Sequence, residues 1–142
     1  MYKNLPEKAL SIIADVLKAK QNEIAHIEVL KQGMTNRSFM FTCQNKKFII
    51  RIPGAGTGFL INRQQEFDVY ETIKDTGLCD NPIYINPQNG YKITEFLPQV
   101  KTCNASNLQN VKFCMEKLRT LHNMKLQVNH TFDIFKQIDF YE

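Results

Sequence analysis

Residues 48–58 have the sequence Phe-Ile-Ile-Arg-Ile-Pro-Gly-Ala-Gly-Thr-Gly, which is the most informative segment for the architecture of this chain. The apolar side chains of Phe48, Ile50 and Ile52 recur at every second position, which is the period of a strand that buries one face. Arg51 is therefore expected on the opposite face of that strand. The proline and the three glycines that follow end the strand.

Two runs upstream show the same alternation of apolar residues: Ile27 and Val29 before Gly33, and then Phe39, Phe41 and Cys43. The polar residues 44–46 supply a turn before the third run. Strands that follow one another through short connections pair most simply as antiparallel neighbours. We therefore predict a three-stranded antiparallel meander.

Further helical and strand patterns occupy the rest of the chain. Apolar residues recur at helical spacing over residues 5–20, 62–76, 106–122 and 132–141, and strand patterns occur over residues 83–85 and 91–96. Asn62 and Gly77 suit the two ends of the second helix, and Ser106 suits the start of the third. This order predicts an α+β fold. It consists of a five-stranded antiparallel sheet with a helix inserted between strands three and four, followed by C-terminal helices.

Composition limits the chain to one compact domain and argues against two classes of partner. Its 142 residues are 43% hydrophobic and carry a net charge of +4. The lysines and arginines are scattered, so the charge suits a small anionic ligand better than a nucleic acid. No stretch approaches the roughly 18 apolar residues that a membrane span needs. We expect a protein that contacts neither nucleic acid nor membrane.

Cysteine usage bears on the cellular compartment. The four cysteines have no zinc-ligand spacing, and Cys43 and Cys114 fall on apolar faces of predicted elements, where we expect buried thiols. Residues 1–20 contain no continuous apolar segment like that of a signal peptide. The sequence therefore predicts reduced thiols and a cytoplasmic location.

Arg51 has a candidate partner in Glu66, which lies one turn into the following helix. A cation on a sheet, held by a carboxylate on the next helix, is the arrangement with which protein kinases fix a positive charge on the ATP phosphates. A buried cation needs such a partner, because an unpaired buried charge is costly. The alternative that spacing leaves open is an exposed arginine and an exposed glutamate.

Two short segments have the composition of phosphate-contacting loops. The turn Gly33-Met34-Thr35-Asn36 contains one glycine, and an ordinary hairpin turn is the alternative. Residues 54–58 follow a strand and precede a helix, as a dinucleotide-binding glycine loop does. That interpretation needs a parallel β-α-β unit and an acidic residue after the next strand, where this sequence has Asn86. We therefore expect residues 54–58 to be a flexible connection.

No set of residues predicts a catalytic or metal centre. His26, His122 and His130 are far apart in sequence and lack the context of a catalytic triad or a metal site. None of the six aspartates lies in a His-x-Asp segment followed by an asparagine, which is the pattern of a kinase catalytic loop. We predict that this chain contains no catalytic residue and no metal ligand.

Five segments occur in an informative order. They are Gly-Met-Thr-Asn at 33–36, Phe-Ile-Ile-Arg-Ile-Pro-Gly-Ala-Gly-Thr at 48–57, Asn-Arg-Gln-Gln-Glu at 62–66, Lys-Ile-Thr-Glu-Phe at 92–96 and Leu-Arg-Thr-Leu-His at 118–122. Together they resemble the bacterial choline kinase branch of the choline/ethanolamine kinase and aminoglycoside phosphotransferase superfamily. The similarity extends over nearly the whole chain from about residue 27.

The resemblance implies a protein-kinase-like N-lobe at residues 1–97, with the hinge and the first helices of a truncated C-lobe at residues 98–142. It implies that ATP is the nucleotide, and that Mg²⁺ and a small amino-alcohol substrate join it in a full-length enzyme, with the metal ligands in the C-lobe. Three groups of residues would bind the nucleotide. They are Gly33, Met34, Thr35 and Asn36 over the phosphates, Arg51 with its partner Glu66, and Glu95, Phe96 and Leu97 at the adenine.

Two alternatives stay open beside this interpretation. The family's catalytic aspartate loop and magnesium-binding aspartate have no counterpart before Glu142, so we expect this chain alone to be inactive as a kinase. It could instead be a non-catalytic module whose apolar stripe over residues 106–122 is covered by self-association through residues 106–142 or by folding back. An aminoglycoside or thiamine kinase would share the same N-lobe, because this lobe does not contact the acceptor.

Overall fold

The structure, a computed structural model, describes residues 5–32, 35–80, 82–131 and 133–141. Within these residues, four α-helices and five strands follow the predicted order. They are α1 (Glu7–Leu17), β1 (Ala25–Gln32), β2 (Asn36–Cys43), β3 (Lys46–Pro53), α2 (Arg63–Ile73), β4 (Pro82–Ile85), β5 (Lys92–Glu95), α3 (Leu108–Asn123) and α4 (Ile134–Tyr141). The predicted α+β class is therefore confirmed.

The five strands form one antiparallel sheet in the order β1-β2-β3-β5-β4. The helix α2 lies in the connection between β3 and β4, as the sequence predicts. The turn between β2 and β3 is one residue shorter than predicted. Gln44 and Asn45 have φ values of 50° and 62°, and the pairing continues to Cys43 and Lys46. Two consecutive residues with positive φ suit the right-handed twist of a hairpin.

One face of the sheet forms the hydrophobic core together with α1. The core side chains of the three central strands are Phe39, Phe41, Cys43, Phe48, Ile50, Ile52 and Ile93. They pack with Ala9 and Ile13 of α1, both of which are 0% exposed. Burying each large apolar side chain stabilises the fold by about 1.5–3 kcal/mol. The helix α1 therefore covers one face of the sheet, and the residues between the core positions point to the other.

The helix ends differ from the predictions at two positions. The side-chain oxygen of Asn62 caps α2 as predicted, by accepting a hydrogen bond from the Gln65 amide at 3.0 Å. The helix nevertheless ends before Gly77, because Lys74 already has extended dihedral angles. Similarly, α3 is capped by Asn107 rather than Ser106, because the Asn107 side chain accepts a hydrogen bond from the Asn110 amide at 3.1 Å.

The apolar stripe of α3 remains largely exposed in the described part of the chain. Leu108, Met115 and Leu118 are 86%, 56% and 41% exposed, and Val111 and Leu121 are half-buried. The predicted folding back is therefore not seen over these residues. Cys43 is buried as predicted, but Cys114 is exposed, because α3 has no fully buried side chain. None of the helices in the described ranges is long and apolar enough to cross a membrane.

Candidate functional site

The guanidinium of Arg51 and the carboxylate of Glu66 form a bidentate ion pair on the face of the sheet opposite the core. Arg51 Nη1 bonds to Glu66 Oε1, and Nη2 donates to Oε2 at 3.0 Å. The side chains are 15% and 20% exposed. The pair forms because Arg51 points away from the core face of β3 and Glu66 lies in the first turn of α2. The structure thus brings together the two residues that the sequence analysis paired, and it excludes the alternative of two exposed charges.

A second arginine, which the sequence analysis missed, also binds Glu66. Arg63 Nη1 donates to Glu66 Oε2 at 2.9 Å, and Arg63 Nη2 donates to Thr57 Oγ1 at 3.2 Å. The Thr57 hydroxyl in turn donates to the Gly54 carbonyl oxygen at 2.9 Å. Arg63 therefore links the glycine-rich connection to α2. The available signal was the spacing of three residues between Arg63 and Glu66, which places both on one side of a helix.

The electrostatic balance of this cluster favours an anion. Two guanidiniums share one carboxylate, which leaves one positive charge in excess. Burial acts to raise the pKa of Glu66, but hydrogen bonds and charges from Arg51 and Arg63 outweigh it, and the pKa lies below its ordinary value. Glu66 is therefore ionised at neutral pH and holds both arginines. The buried Nε of Arg51 has no hydrogen-bond partner among the described residues.

Thr35 and Asn36 of the predicted phosphate loop lie beside the end of the strand that carries Arg51. The backbone carbonyl oxygen of Thr35 accepts a hydrogen bond from the Gly54 amide at 2.8 Å, and Asn36 is the register partner of Pro53. The Asn36 Nδ2 group donates to Thr35 Oγ1 at 3.2 Å, and Asn36 Oδ1 is buried without a partner in the described part of the chain. Gly33 and Met34, the other two predicted loop residues, lie outside the described residues.

The three residues that the resemblance implies at the adenine, which we call the hinge segment, lie at the end of β5: Glu95 is its last residue, and Phe96 and Leu97 follow it. The Phe96 amide donates to the Lys47 carbonyl oxygen at 3.0 Å, and the Lys47 ammonium lies 5.8 Å from the centre of the Phe96 ring. Glu95 is exposed and pairs with Lys46 at 3.8 Å, and Leu97 is 49% exposed. Because the Phe96 amide is already used by the sheet, a base bound here would have to use other backbone groups of the segment.

Between the hinge segment and Arg51, the face of the sheet opposite the core carries a row of uncharged side chains, one half-buried and two buried. Met40, Ile49 and Thr94 are register partners on β2, β3 and β5, and the next row of partners on the same face is Ser38, Arg51 and Lys92. The partners of Glu95 and Lys92 on β3 are three residues apart, so the hinge and the arginine are about 10 Å apart along the strands. This face of the sheet therefore runs from backbone groups through an uncharged row to a cation.

Two other kinds of site do not fit the geometry. The sheet is antiparallel, so residues 54–58 cannot be the turn of a parallel β-α-β dinucleotide-binding unit. No group of three or more histidine, cysteine or acidic side chains that could hold a metal ion occurs within the described ranges. His130 lies at a cleft of about 390 Å³ that Glu66 and Tyr70 of α2 also line.

Comparisons with known proteins agree with this geometry. The family model described as choline/ethanolamine kinase matches residues 27–142. Protein LicA of Haemophilus influenzae is 28% identical over 109 residues, which are 74% of this chain and 32% of that protein. LicA of the Haemophilus influenzae Rd strain is 28% identical over 108 residues, which are 73% of this chain and 40% of that protein.

Solved structures of the same kind share the fold. The crystal structure of choline kinase LicA from Streptococcus pneumoniae has a TM-score of 0.73 and 29% identity, covering 92% of this chain and 46% of that one. A LicA structure in complex with AMP has a TM-score of 0.73 and 27% identity, covering 92% of this chain and 47% of that one. The chain thus spans less than half the length of these relatives, with a kinase-like fold. It belongs to the choline/ethanolamine kinase family.

Proposed function

We propose that this chain is the nucleotide-binding N-terminal part of an ATP-dependent kinase for choline or a related amino alcohol. Residues 1–97 form the N-lobe, and residues 98–142 form the hinge and the first helices of the C-lobe. The observation that carries the proposal is the bidentate pair between Arg51 and Glu66, on a cluster with one positive charge in excess.

The phosphates are proposed to bind at Arg51 and at the loop residues Thr35 and Asn36. A guanidinium suits phosphate because its planar donors form paired hydrogen bonds with oxygen atoms. The buried Nε of Arg51 lacks a partner among the described residues, and an unsatisfied buried donor costs about 1–3 kcal/mol. Because this Nε is inaccessible, the phosphate contact is assigned to the Nη groups of Arg51, each of which carries a second N–H beside the one it donates to Glu66. The LicA structure that contains AMP supports a nucleotide as the ligand.

The base is proposed to lie beside the uncharged row at its half-buried member Ile49, with its polar edge toward residues 95–97, because Met40 and Thr94 are buried at 9% and 3% exposure. This places the base and the phosphates at opposite ends of one surface, about 10 Å apart along β3. The order along the sheet therefore matches the order of chemical groups in a nucleotide. Choline is favoured over an aminoglycoside or thiamine as the acceptor because the matched structure is a choline kinase.

Magnesium and the chemical step are assigned to residues outside this chain. The Glu66 carboxylate is already shared by two guanidiniums, and the described residues offer no acidic cluster, so they do not fit a magnesium ion. The sequence has no His-x-Asp segment followed by an asparagine to orient a substrate hydroxyl. We therefore expect the chain alone to release no ADP when it is incubated with ATP, magnesium and choline.

Nucleotide titration of three proteins tests the proposed binding role. Arg51→Ala should weaken ATP binding roughly 10- to 100-fold, because hydrogen bonds to charged groups contribute about 1.5–3 kcal/mol. The control is Arg37→Ala, which removes an exposed arginine from β2 whose register partner is the core residue Ile52. Its affinity should match that of the wild type. Equal ATP affinity in the Arg51→Ala variant would remove Arg51 from the phosphate role.

A second candidate function is a non-catalytic module that associates with itself through residues 106–142. The observation that favours it is the exposed apolar side chains of α3 and α4, which include Leu108 at 86%, Phe113 at 58% and Phe135 at 74%. Soluble monomers rarely leave a large contiguous apolar patch uncovered. A dimer would cover this face with a second copy, and the C-lobe of a longer kinase would cover it in the first proposal.

Light scattering after size-exclusion chromatography tests whether a second copy of the chain covers this apolar face. Self-association predicts a dimer that the double variant Leu108→Glu/Leu118→Glu converts to a monomer. Phe59→Ser is the matched control, because Phe59 is equally exposed at 86% but lies outside α3 and α4. A monomeric wild-type chain would rule out the self-associating module.

A further inference from the structure

A buried lysine on β5 has no part in the proposed nucleotide contacts. The side chain of Lys92 is only 9% exposed, and its Nζ donates to the Tyr70 hydroxyl at 2.8 Å and to Asp80 Oδ2 at 2.9 Å. The ammonium also lies 4.3 Å from the centre of the Tyr70 ring, which is the range of a cation–π contact. These contacts fill most of the hydrogen-bonding capacity of the ammonium, so Lys92 is poorly suited to bind a phosphate itself.

Lys92 and Arg51 both form side-chain hydrogen bonds to the same helix, α2. They are register partners on β5 and β3, so both point to the face of the sheet that α2 covers. Their partners on α2, Glu66 and Tyr70, are four residues apart and therefore lie on one side of the helix. The helix is thus attached to the sheet by two polar connections, one turn apart.

The position of α2 against the sheet depends strongly on these two polar connections because the apolar contacts of the helix are weak. None of its side chains is fully buried, whereas α1 buries three. A helix held only at Glu66 could turn about that single point. The connection from Lys92 to Tyr70 fixes a second point, and Asp80 ties the chain after α2 to the same ammonium.

We propose that Lys92 is a positioning residue for Arg51. By holding Tyr70, it fixes α2 at the place where Glu66 orients the Arg51 guanidinium toward the nucleotide phosphates. The phosphate part of this inference rests on the nucleotide-binding function proposed above. The anchoring of α2 does not depend on that function and can be measured without nucleotide.

Hydrogen exchange tests the anchoring in the chain without ligand. Lys92→Met keeps the aliphatic stem and removes the ammonium, and Tyr70→Phe keeps the ring and removes the hydroxyl. Both variants should exchange the amides of residues 67–73 several-fold faster than the wild type, while the amides of β2 and β3 keep their rates. Lys112→Met, which removes an exposed lysine from α3, is the charge control and should leave α2 unchanged. Unchanged exchange of α2 in Lys92→Met would overturn the inference.

Nucleotide affinity tests the effect on Arg51. Lys92→Met should weaken ATP binding about 3- to 10-fold and leave adenosine binding unchanged, because adenosine lacks the phosphates. In an Arg51→Ala background the same change should have no further effect, since contributions that act through one group are not additive. An equal loss in both backgrounds would show direct phosphate binding by Lys92 and overturn the positioning role.

The two proposals fail in different ways. If the wild-type chain binds no ATP, the nucleotide function fails for this chain, and hydrogen exchange alone decides whether Lys92 anchors α2. If ATP binds and Arg51→Ala weakens it, but Lys92→Met has the wild-type affinity, the nucleotide function stands and the positioning role is overturned.

Discussion

Arg51 makes two hydrogen bonds in one plane to Glu66, and a lysine ammonium at this position could not reproduce both. Many kinases use a lysine for the cation on this strand, so the guanidinium changes how the partner carboxylate is held. Here one oxygen of Glu66 also accepts a bond from Arg63. The carboxylate therefore organises two cations, and its ionisation state controls both.

The stability of the fold should depend on pH through Glu66. Its folded-state pKa lies below the ordinary value, so the unfolded chain takes up the proton first as the pH falls. The stabilisation is therefore complete above the ordinary carboxyl pKa of about 4.3 and is lost as the pH drops through the lower folded-state pKa. Glu66→Gln should be less stable at neutral pH and should lose this part of the pH dependence.

Urea unfolding between pH 7 and pH 3 measures the effect. Glu71→Gln is the matched control, because Glu71 is on the same helix and its ion pair with Lys74 is exposed, so this variant should lose less stability at neutral pH than Glu66→Gln. If Glu66→Gln showed the same slope as the wild type, the carboxylate would not be coupled to folding in the way the contacts indicate.

At the scale of single elements, the hairpin between β4 and β5 meets the arginine cluster at Gly90. Its φ is +71°, and a Cβ added there would lie 3.1 Å from Arg63 Nε and 3.2 Å from Pro53 Cγ. Gly77 has a similar φ of +70°, but an added Cβ would meet nothing within 4 Å. Alanine substitutions at Gly77 and Gly90 therefore separate the cost of a positive φ from the cost of steric crowding by an added Cβ.

We expect Gly77→Ala to lower the free energy of unfolding by about 1–2 kcal/mol, which is the cost of positive φ for a residue with a side chain. Gly90→Ala should cost about 1–3 kcal/mol more, because it also displaces Arg63 or Pro53. Urea unfolding of the two variants gives the difference directly. Equal losses of unfolding free energy would mean that a Cβ at position 90 does not displace Arg63 or Pro53.

The elements were predictable where one face of a strand or helix is buried, and less so where ends are set by local hydrogen bonds. The alternation of Phe48, Ile50 and Ile52 located β3 correctly, because each of these side chains is in the core. The end of α2 was placed at Gly77, but the backbone turns to an extended conformation at Lys74. A glycine near a helix end indicates where a turn is possible, and it does not fix where the turn occurs.

The pairing of Arg51 with Glu66 could be predicted because both residues are close in sequence and belong to adjacent elements. Arg63 and Lys92 were missed for different reasons. The spacing from Arg63 to Glu66 was available as a signal but carries little energy on an exposed helix. The position of Lys92 opposite Arg51 depends on the register of β5 against β3, and 40 residues separate the paired positions. Sequence alone does not fix such a register.

At the scale of the whole molecule, the two faces of the sheet are stabilised differently. On one face α1 buries apolar side chains against the central strands, and on the other α2 is attached through charged and polar groups. The family match begins at residue 27, so α1 lies outside it even though it closes the core. The chain therefore combines an apolar side with a polar side on which Glu66 and Tyr70 of α2 bind the cations of the sheet.

This asymmetry predicts unequal effects when an apolar side chain is truncated on each of the two helices. Ile13→Ala in α1 removes a side chain that is 0% exposed and should lower the free energy of unfolding by about 2–5 kcal/mol, because it leaves a cavity in the core. Val69→Ala in α2 removes a side chain that is 36% exposed and should change it by less than about 1 kcal/mol. Urea unfolding, followed by circular dichroism, compares the two variants with the wild type. Losses of similar size would mean that α2 belongs to the apolar core as fully as α1, and the polar connections at Glu66 and Tyr70 would then not be what holds it.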